Sequence, residues 1–354
     1  MKQKKGFLKY YIKIGNSYNS MLIVAFLIGV LLIASSYAWL SSSLNVRVNF
    51  LNMKVDNDSG LSISFDGVNF FEKVSAKQEF VMDELLQTYP NHNNQWARRG
   101  LLPVSTLGIK DSNSDKFTIF GNSRVARYKD ENDVVNKYIT SHQFNEDKPR
   151  KDNFFVAFDL FLRNKSGSPM PDNLFFNTGT GVYFNGLNQS DYDGTFNSMR
   201  IGMVKIGTVP TNSPREVVQN IQCNNQCEMV IYEPNATAHS EGSIERSVEN
   251  GITLYNGIAN PTYAIRKEGQ NLNIVTGHAE TGIQLDNEYF GIQNTITNIN
   301  NPIFKLPDGI TKFRVYVWIE GQDVDSLETV SSGLNLAVVI NFFKDIAGYE
   351  YYND

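Results

Sequence analysis

The residues best suited to chemistry include a closely spaced pair of cysteines. Cys223 and Cys227 form the sequence CNNQC. In an oxidising compartment such a pair favours a disulfide, which would pin a local turn because it closes a very short loop. Free thiols are one alternative. A metal site using His239 is another, although zinc would need further ligands.

A group of carboxylates at Glu320, Asp323 and Asp325 suggests a calcium site. Calcium takes about six to eight oxygen ligands, and carboxylates two or three positions apart in a turn can converge on one ion. Gly321 permits the tight loop that such a site needs. The alternative is that these side chains are solvated on an acidic surface.

Trp96 is the candidate for binding a sugar ring by stacking. It lies in a polar segment beside Arg98 and Arg99, which suggests an exposed ring, whereas Trp318 lies in a strongly alternating stretch and is predicted to pack inside the fold. Asn side chains would supply hydrogen bonds to hydroxyl groups.

Catalysis has little support in the sequence. The four histidines, His92, His142, His239 and His278, are scattered over predicted loops. The sequence contains no GxSxG, HExxH, P-loop or GxGxxG motif. We therefore expect a protein that is not an enzyme and has no cofactor, apart from the calcium just considered.

The composition is that of a globular chain with many loops. Of the 354 residues, 41% are hydrophobic and 40 are Asn, a residue favoured in turns. The net charge is −5, but residues 56–354 hold 25 basic against 37 acidic side chains, a charge near −12. Phosphates repel so acidic a chain, so we expect no nucleic-acid partner.

The N-terminal part predicts contact with a membrane. Residues 21–40 (MLIVAFLIGVLLIASSYAWL) carry no charge and, as a helix, are long enough to span a bilayer. Residues 1–20 contain five lysines, which predicts a basic cytoplasmic leader and places residues 41–354 outside. The segment is either a retained anchor or a signal cleaved after Ala38. The predicted location is the cell membrane or surface, or the exterior after cleavage.

Beyond residue 43 the hydrophobic pattern is mostly that of β-strands. The clearest predicted strands cover residues 44–50, 61–65, 154–162, 199–206, 228–232, 312–319 and 334–343. Helical patterns are limited to residues 82–88 and 132–140. We predict an all-β fold, a jelly-roll-like antiparallel β-sandwich with long insertions, preceded by one N-terminal transmembrane or signal helix.

Two ranges interrupt the strand pattern. Residues 83–150 are polar and rich in Asn, and residues 207–310 contain short apolar runs separated by Gly, Pro and Asn. We interpret both as insertions between strands of the sandwich formed by residues 41–354. The alternative is that they form a second small β domain.

The first predicted strand suggests a mode of assembly. Leu44, Val46, Val48 and Phe50 alternate with polar residues directly after the membrane segment. Such a strand could fill the open edge of a neighbouring copy's sheet by β-strand addition. The alternative is that it pairs within its own sandwich.

Two ends of the chain resemble known exported proteins. The stretch ASSYAWLS (residues 34–41), with the strand 44–50 and GLSIS (60–64), resembles the start of proteins of the TasA/camelysin type. VYVWIEGQD (315–323), the strand 333–343 and IYEPNAT (231–237) are similar to uncharacterised surface proteins of Gram-positive-type bacteria. The TasA/camelysin resemblance implies a jelly roll that forms extracellular fibres by strand exchange. The present chain is longer, with an extended lysine-rich leader and large insertions.

These observations favour a non-catalytic structural or adhesive protein of the cell surface, with copies of itself as partners and fibre assembly by β-strand addition. The second hypothesis is a membrane-tethered ectodomain that binds carbohydrate. An extracellular hydrolase comes third.

Overall fold

The computed structural model describes residues 47–56, 60–98, 100–109, 114–129, 135–144, 146, 152–184, 193–224, 227–235, 254–255, 258–259, 295–296, 298–321, 323–327 and 335–345. The predicted leader (1–20) and membrane segment (21–40) lie outside these residues. Among the helices that are described, none combines the length and hydrophobicity needed to cross a bilayer.

Strands dominate the described chain. In chain order they are β1 (Arg47–Val55), β2 (Leu61–Ser64), β3 (Lys73–Ala76), β4 (Gln95–Ala97), β5 (Pro103–Ile109), β6 (Phe117–Lys129), β7 (Val135–Gln143), β8 (Asp152–Asn164), β9 (Asp172–Phe176), β10 (Gly181–Phe184), β11 (Met199–Val209), β12 (Glu228–Tyr232), β13 (Leu254–Tyr255), β14 (Ile258–Ala259), β15 (Thr295–Ile296), β16 (Phe304–Leu306), β17 (Gly309–Glu320) and β18 (Asn335–Asp345). The short helices are α1 (Gln78–Met82), α2 (Asp193–Asn197) and α3 (Arg215–Gln219), with 3-10 turns at Glu84–Gln87 and Val324–Leu327. The all-β prediction is confirmed.

The first sheet is built around β17. Strand β17 pairs with β11 on one side and with β8 on the other, both antiparallel, and β12 and β15 extend the sheet beyond β11. Strands β2 and β4 pair with β8. At the end of β17, Ile319 and Glu320 pair in parallel with β5, which continues through β6 to β7.

The second sheet has the order β16-β9-β18-β1-β3, with β10 also paired to β18. The first and last strands of the described chain lie side by side in it, because β1 runs parallel to β18. Parallel pairs also join β5 to β17 and β12 to β15. The prediction of a purely antiparallel sandwich is therefore wrong, and both sheets are mixed. Strands β13 and β14 form a separate antiparallel pair.

A shared core joins the inner faces of the two sheets. Strand β17 contributes Phe313, Val315, Val317 and Ile319 to this core, as the alternation predicts. Buried side chains of β1 and β18 face them from the second sheet, including Leu51, Met53, Val338, Ile340 and Phe342. Burial of these apolar side chains is the main force that holds the sheets together.

The opposite face of β17 is also covered. Tyr316 and Trp318 form a second cluster with Phe117, whose ring stacks on Tyr316 at a centroid distance of 4.4 Å. Gly202 makes room for this contact, because a Cβ atom there would overlap the Phe117 ring. The first sheet is thus buried on both faces, which explains the nearly continuous apolar sequence of β8.

Two predicted ranges, 83–150 and 132–140, contain strands of the first sheet. Residues 83–150, interpreted as an insertion between strands, contribute β4 to β7 to that sheet. The helix predicted at residues 132–140 is wrong over residues 135–140, which belong to strand β7. The helical pattern at 82–88 corresponds to the end of α1 and a 3-10 turn.

Candidate functional site

Trp96 is not available for stacking on a ligand. Its side chain is 1% exposed and belongs to the core between the sheets, where the three-residue strand β4 holds it against β8. The sugar-stacking prediction for Trp96 is therefore wrong. Trp318 is buried as expected, and its indole N–H donates a hydrogen bond to Glu320 Oε2 at 3.0 Å.

The described part of the predicted donor strand is engaged in its own sheet. Leu44 and Val46 lie outside the described residues. Val48 is buried opposite Leu336 of β18, and Phe50 is 38% exposed because the register shifts between these two positions. Phe50 was expected to share a face with Val48, so this part of the prediction is wrong.

The carboxylates proposed for calcium bind protein donors instead. Glu320 accepts hydrogen bonds from Ser105 Oγ at 2.6 Å and from Trp318. Asp323 lies 2.5 Å from the guanidinium of buried Arg200, and Asp325 donates its backbone N–H to the Asp323 carboxylate at 2.9 Å. Among the described residues, no group of three or more His, Cys, Asp or Glu side chains could hold a metal ion. This arrangement gives the calcium hypothesis no support.

The structure joins Cys223 to Cys227 in a disulfide. The bond lies just before β12, and Cys227 packs against the cluster on the outer face of the first sheet. It closes a five-residue loop and therefore constrains only local structure. His239, the alternative metal ligand, lies outside the described residues.

The sequence did not reveal a buried ionic network on the first sheet. Arg314 Nη1 lies 3.0 Å from Asp159 Oδ1, and Arg314 Nη2 lies 2.8 Å from Glu146 Oε2. Lys312 Nζ lies 3.2 Å from Asp159 Oδ2, and the Tyr89 hydroxyl donates to the same oxygen at 2.7 Å. Five buried side chains from distant parts of the chain thus form ion pairs and hydrogen bonds with one another.

Burial and mutual charge shift the pKa values in this network. Burial alone would raise the pKa of Asp159, but the charges of Lys312 and Arg314 outweigh it and hold that pKa well below its usual range. Burial raises the pKa of Glu146 despite the neighbouring Arg314. Burial and the Asp159 charge raise the pKa of Tyr89, so its hydroxyl stays protonated as a donor.

A polar cavity of about 170 Å³ adjoins the network. Its walls include Tyr89, Asp159, Gln219, Lys312 and Arg314. The charged groups in these walls already contact one another, so the cavity offers paired charges. We assign the network a structural role, holding β8 and β17 to the 89–94 loop.

A larger groove of about 530 Å³ lies along the free edge of the second sheet. Strand β3 is the last strand of that sheet in the described chain, and Lys73, Val74 and Ser75 form one wall of the groove. The rest of the lining combines the apolar side chains of Phe65, Phe80 and Leu85 with polar ones that include Asp66 and Glu84, and Phe71 at the rim is 56% exposed. A backbone edge and an apolar surface therefore meet here.

The outer face of the second sheet presents aromatic and basic side chains in cross-strand rows. Tyr183, Ala337 and Phe50 are directly opposite one another across β10, β18 and β1. Two positions along, the row is Gly181, Val339, Asn52 and Ser75. The third row contains Asn341, Lys54 and Lys73. Residues directly opposite on neighbouring strands share a face, so these rows form one surface.

Comparisons of the chain with protein-family models, with curated proteins and with solved structures find no match. The groove and the outer face of the second sheet are the two surfaces of the described chain that bear on its function.

Proposed function

We propose that this chain is a non-catalytic structural or adhesive protein of the cell surface that associates with other copies by β-strand addition. The surface location rests on the basic leader and the apolar segment 21–40 of the sequence. The association rests on one structural observation: among the described strands, β3 pairs only with β1, and its other edge adjoins the groove that contains Phe65, Phe80 and Leu85.

An extended segment of a second copy fits the chemistry of this edge. Its backbone would hydrogen-bond to β3, and alternate apolar side chains would enter the groove beside Phe65, Phe80 and Leu85. Unpaired strand edges attract such partners. Strand β1 is a poor donor in its present place, because it lies between β18 and β3. The donor in this proposal is therefore residues 41–46, which precede β1.

Sedimentation of the full chain in detergent tests this proposal. We expect concentration-dependent association, which Phe71→Glu weakens about tenfold or more because it places a charge at the groove's rim. Leu86→Glu is the control, since Leu86 is 43% exposed but does not line the groove. Deleting residues 41–46 should abolish association and leave β1 intact. A wild-type chain that stays monomeric at every accessible concentration would refute the proposal.

Carbohydrate binding is the second candidate function, and one observation favours it. Tyr183 and Phe50 are 46% and 38% exposed on the outer face of the second sheet, in a row with Asn52 and Asn341 close by. Exposed aromatic rings beside amide groups suit sugar rings and their hydroxyls. This surface replaces Trp96 as the candidate for stacking.

A further inference from the structure

We propose that the outer face of the second sheet binds an anionic polysaccharide along β1, β3, β10 and β18. This inference rests on the carbohydrate-binding function and names its ligand class and residues.

The aromatic row forms a shallow binding surface for a sugar ring. Ala337, a small residue, lies between Tyr183 and Phe50. Neighbouring strands are about 4.8 Å apart, so the two aromatic side chains start about 10 Å from each other. A flat ring can therefore lie on Ala337 with aromatic groups on both sides.

The Tyr183 ring is held in one orientation by a hydrogen bond. Its hydroxyl donates a hydrogen bond to the Gly179 carbonyl at 3.0 Å. The ring consequently lies beside Gly181, at van der Waals distance from the place a Cβ atom would occupy. A side chain whose rotamer is already fixed loses little entropy on binding, so this ring favours affinity.

The lysine pair identifies the charge of the ligand. Lys54 and Lys73 are directly opposite each other in antiparallel strands, and both are exposed. Like charges in such a pair, with Cβ atoms about 5 Å apart, repel each other and weaken the sheet. Neither ammonium group has an ion-pair partner in the part of the chain that is described. A carboxylate, sulfate or phosphate of a ligand would relieve this repulsion.

Charge is also segregated on this surface. Arg47 and Lys77 are exposed near Phe50, and the Lys77 ammonium lies 5.1 Å from the centre of its ring. The outward positions of β1, β3 and β10 carry no acidic side chain, and β18 carries one, Asp345 at its end. Residues 56–354 as a whole carry about −12 and repel anions, so an anionic partner would be attracted only where basic side chains are concentrated, as they are on this face.

The surface is long enough to contact several successive sugar units of an oligosaccharide. The aromatic row and the lysine row are four residues apart along β1, a distance of about 14 Å at 3.4 Å per residue. Asn52 lies between them, and its amide oxygen accepts a hydrogen bond from Ser75 Oγ at 2.6 Å. Successive sugar units would thus contact aromatic rings, then amide and hydroxyl groups, then ammonium groups.

The test measures binding of the full chain, held in nanodiscs of zwitterionic lipid, to matched polysaccharides. The probes are oligomers of galacturonic acid and their fully methyl-esterified forms, which share a backbone and differ in charge, with hyaluronan, heparin and neutral dextran for comparison. We expect binding to at least one anionic probe and much weaker binding to the neutral ones.

Three variants locate the site. Tyr183→Ala should weaken anionic binding about tenfold through lost stacking. The double variant Lys54→Gln/Lys73→Gln should weaken it about tenfold at about 0.1 M salt and have no effect at about 1 M, where the Debye length is only about 3 Å. Lys165→Gln, at an exposed loop position away from this surface, should bind like the wild type. Unchanged thermal unfolding would show that the variants fold.

The outcomes separate the inference from the function on which it rests. Equal binding of esterified and charged oligomers, unaffected by the lysine variants, would overturn the anionic ligand and leave carbohydrate binding standing. Binding that all three variants leave unchanged would overturn the site. Failure of every polysaccharide to bind would overturn both the inference and the carbohydrate function.

Discussion

Replacing Asp159 by Asn should strongly destabilise the fold, because it removes one charge from the buried network without changing the side chain's shape. Asp159 faces Arg314 at 3.0 Å and Lys312 at 3.2 Å, and all three side chains are at most 10% exposed. In the variant, Glu146 is the one carboxylate among the described residues that still pairs with either cation, and it pairs with Arg314. One buried positive charge is then left without compensation.

The expected loss follows from that geometry. Breaking a buried ion pair by removing one partner costs about 3–5 kcal/mol, since the remaining charge stays desolvated. The matched control is Lys205→Gln, which breaks the Lys205–Glu228 pair at 2.9 Å. Because the Glu228 side chain is 54% exposed, water screens that pair, and we expect a loss of about 1 kcal/mol or less.

Urea unfolding of the full chain in detergent, followed by tryptophan emission, measures both losses. Trp96 and Trp318 are each 1% exposed, so their emission should shift to longer wavelength when the sandwich opens. The double variant Asp159→Asn/Lys312→Met should recover part of the stability, because it removes the positive charge that Asp159→Asn leaves without a carboxylate partner. The reasoning is refuted if Asp159→Asn costs no more than Lys205→Gln, or if adding Lys312→Met lowers stability further.

The same variant has a predicted pH dependence. The folded-state pKa of Asp159 lies below the ordinary value of 3.8, so its ionised form stabilises the fold at every pH above that value. This contribution is lost as the pH falls below 3.8 toward the folded-state pKa. The stability difference between wild type and Asp159→Asn should therefore be constant near neutral pH and shrink in acid.

Three further predictions concern other parts of the fold. Burial lowers the pKa of His92 below 6.5, so the fold should lose stability as the pH falls from 6.5. His92→Gln should make stability depend less on pH in this range, as measured by thermal melts at different pH values. Gly202→Ala should cost about 1–3 kcal/mol of stability in urea unfolding, because the added methyl group overlaps an aromatic ring. Gly181→Ala should be nearly neutral, because its methyl group has no contact under 3.7 Å. Equal losses in the two variants would contradict this prediction. Replacing Cys223 and Cys227 by Ser should cost about 2 kcal/mol, as expected for a five-residue loop, and a global loss of structure would contradict a purely local role.

Strands with strong local alternation could be predicted from the sequence. In β17 the sequence assigns Phe313 and Val315 to one face and Tyr316 and Trp318 to the other, and the structure places the two sets in separate clusters. Alternation depends only on neighbouring residues, so it is visible without knowledge of the fold. The predicted strands at 199–206 and 228–232 are present for the same reason.

Features that depend on distant residues could not be predicted. The polar neighbours of Trp96 suggested exposure, but its burial is decided by pairing of the three-residue β4 with β8. Asp159 and Arg314 are separated by 155 positions, and their contact follows from the register of β8 and β17. The outer face of the second sheet likewise exists only once β10, β18 and β1 are aligned. A single sequence does not reveal such registers, because many alignments bury similar apolar surfaces.

The parallel pairing of β1 with β18 has a consequence for biosynthesis. Val48 pairs with Leu336, so this part of the second sheet cannot form until the chain has been synthesised beyond residue 336. Strand pairing over such a sequence separation is slow, and the waiting strand exposes apolar side chains such as Leu51 and Met53. Translocation that stops before residue 336 would leave β1 without its central neighbour. Newly synthesised chains should therefore depend on protection from aggregation until β18 is available to pair with β1.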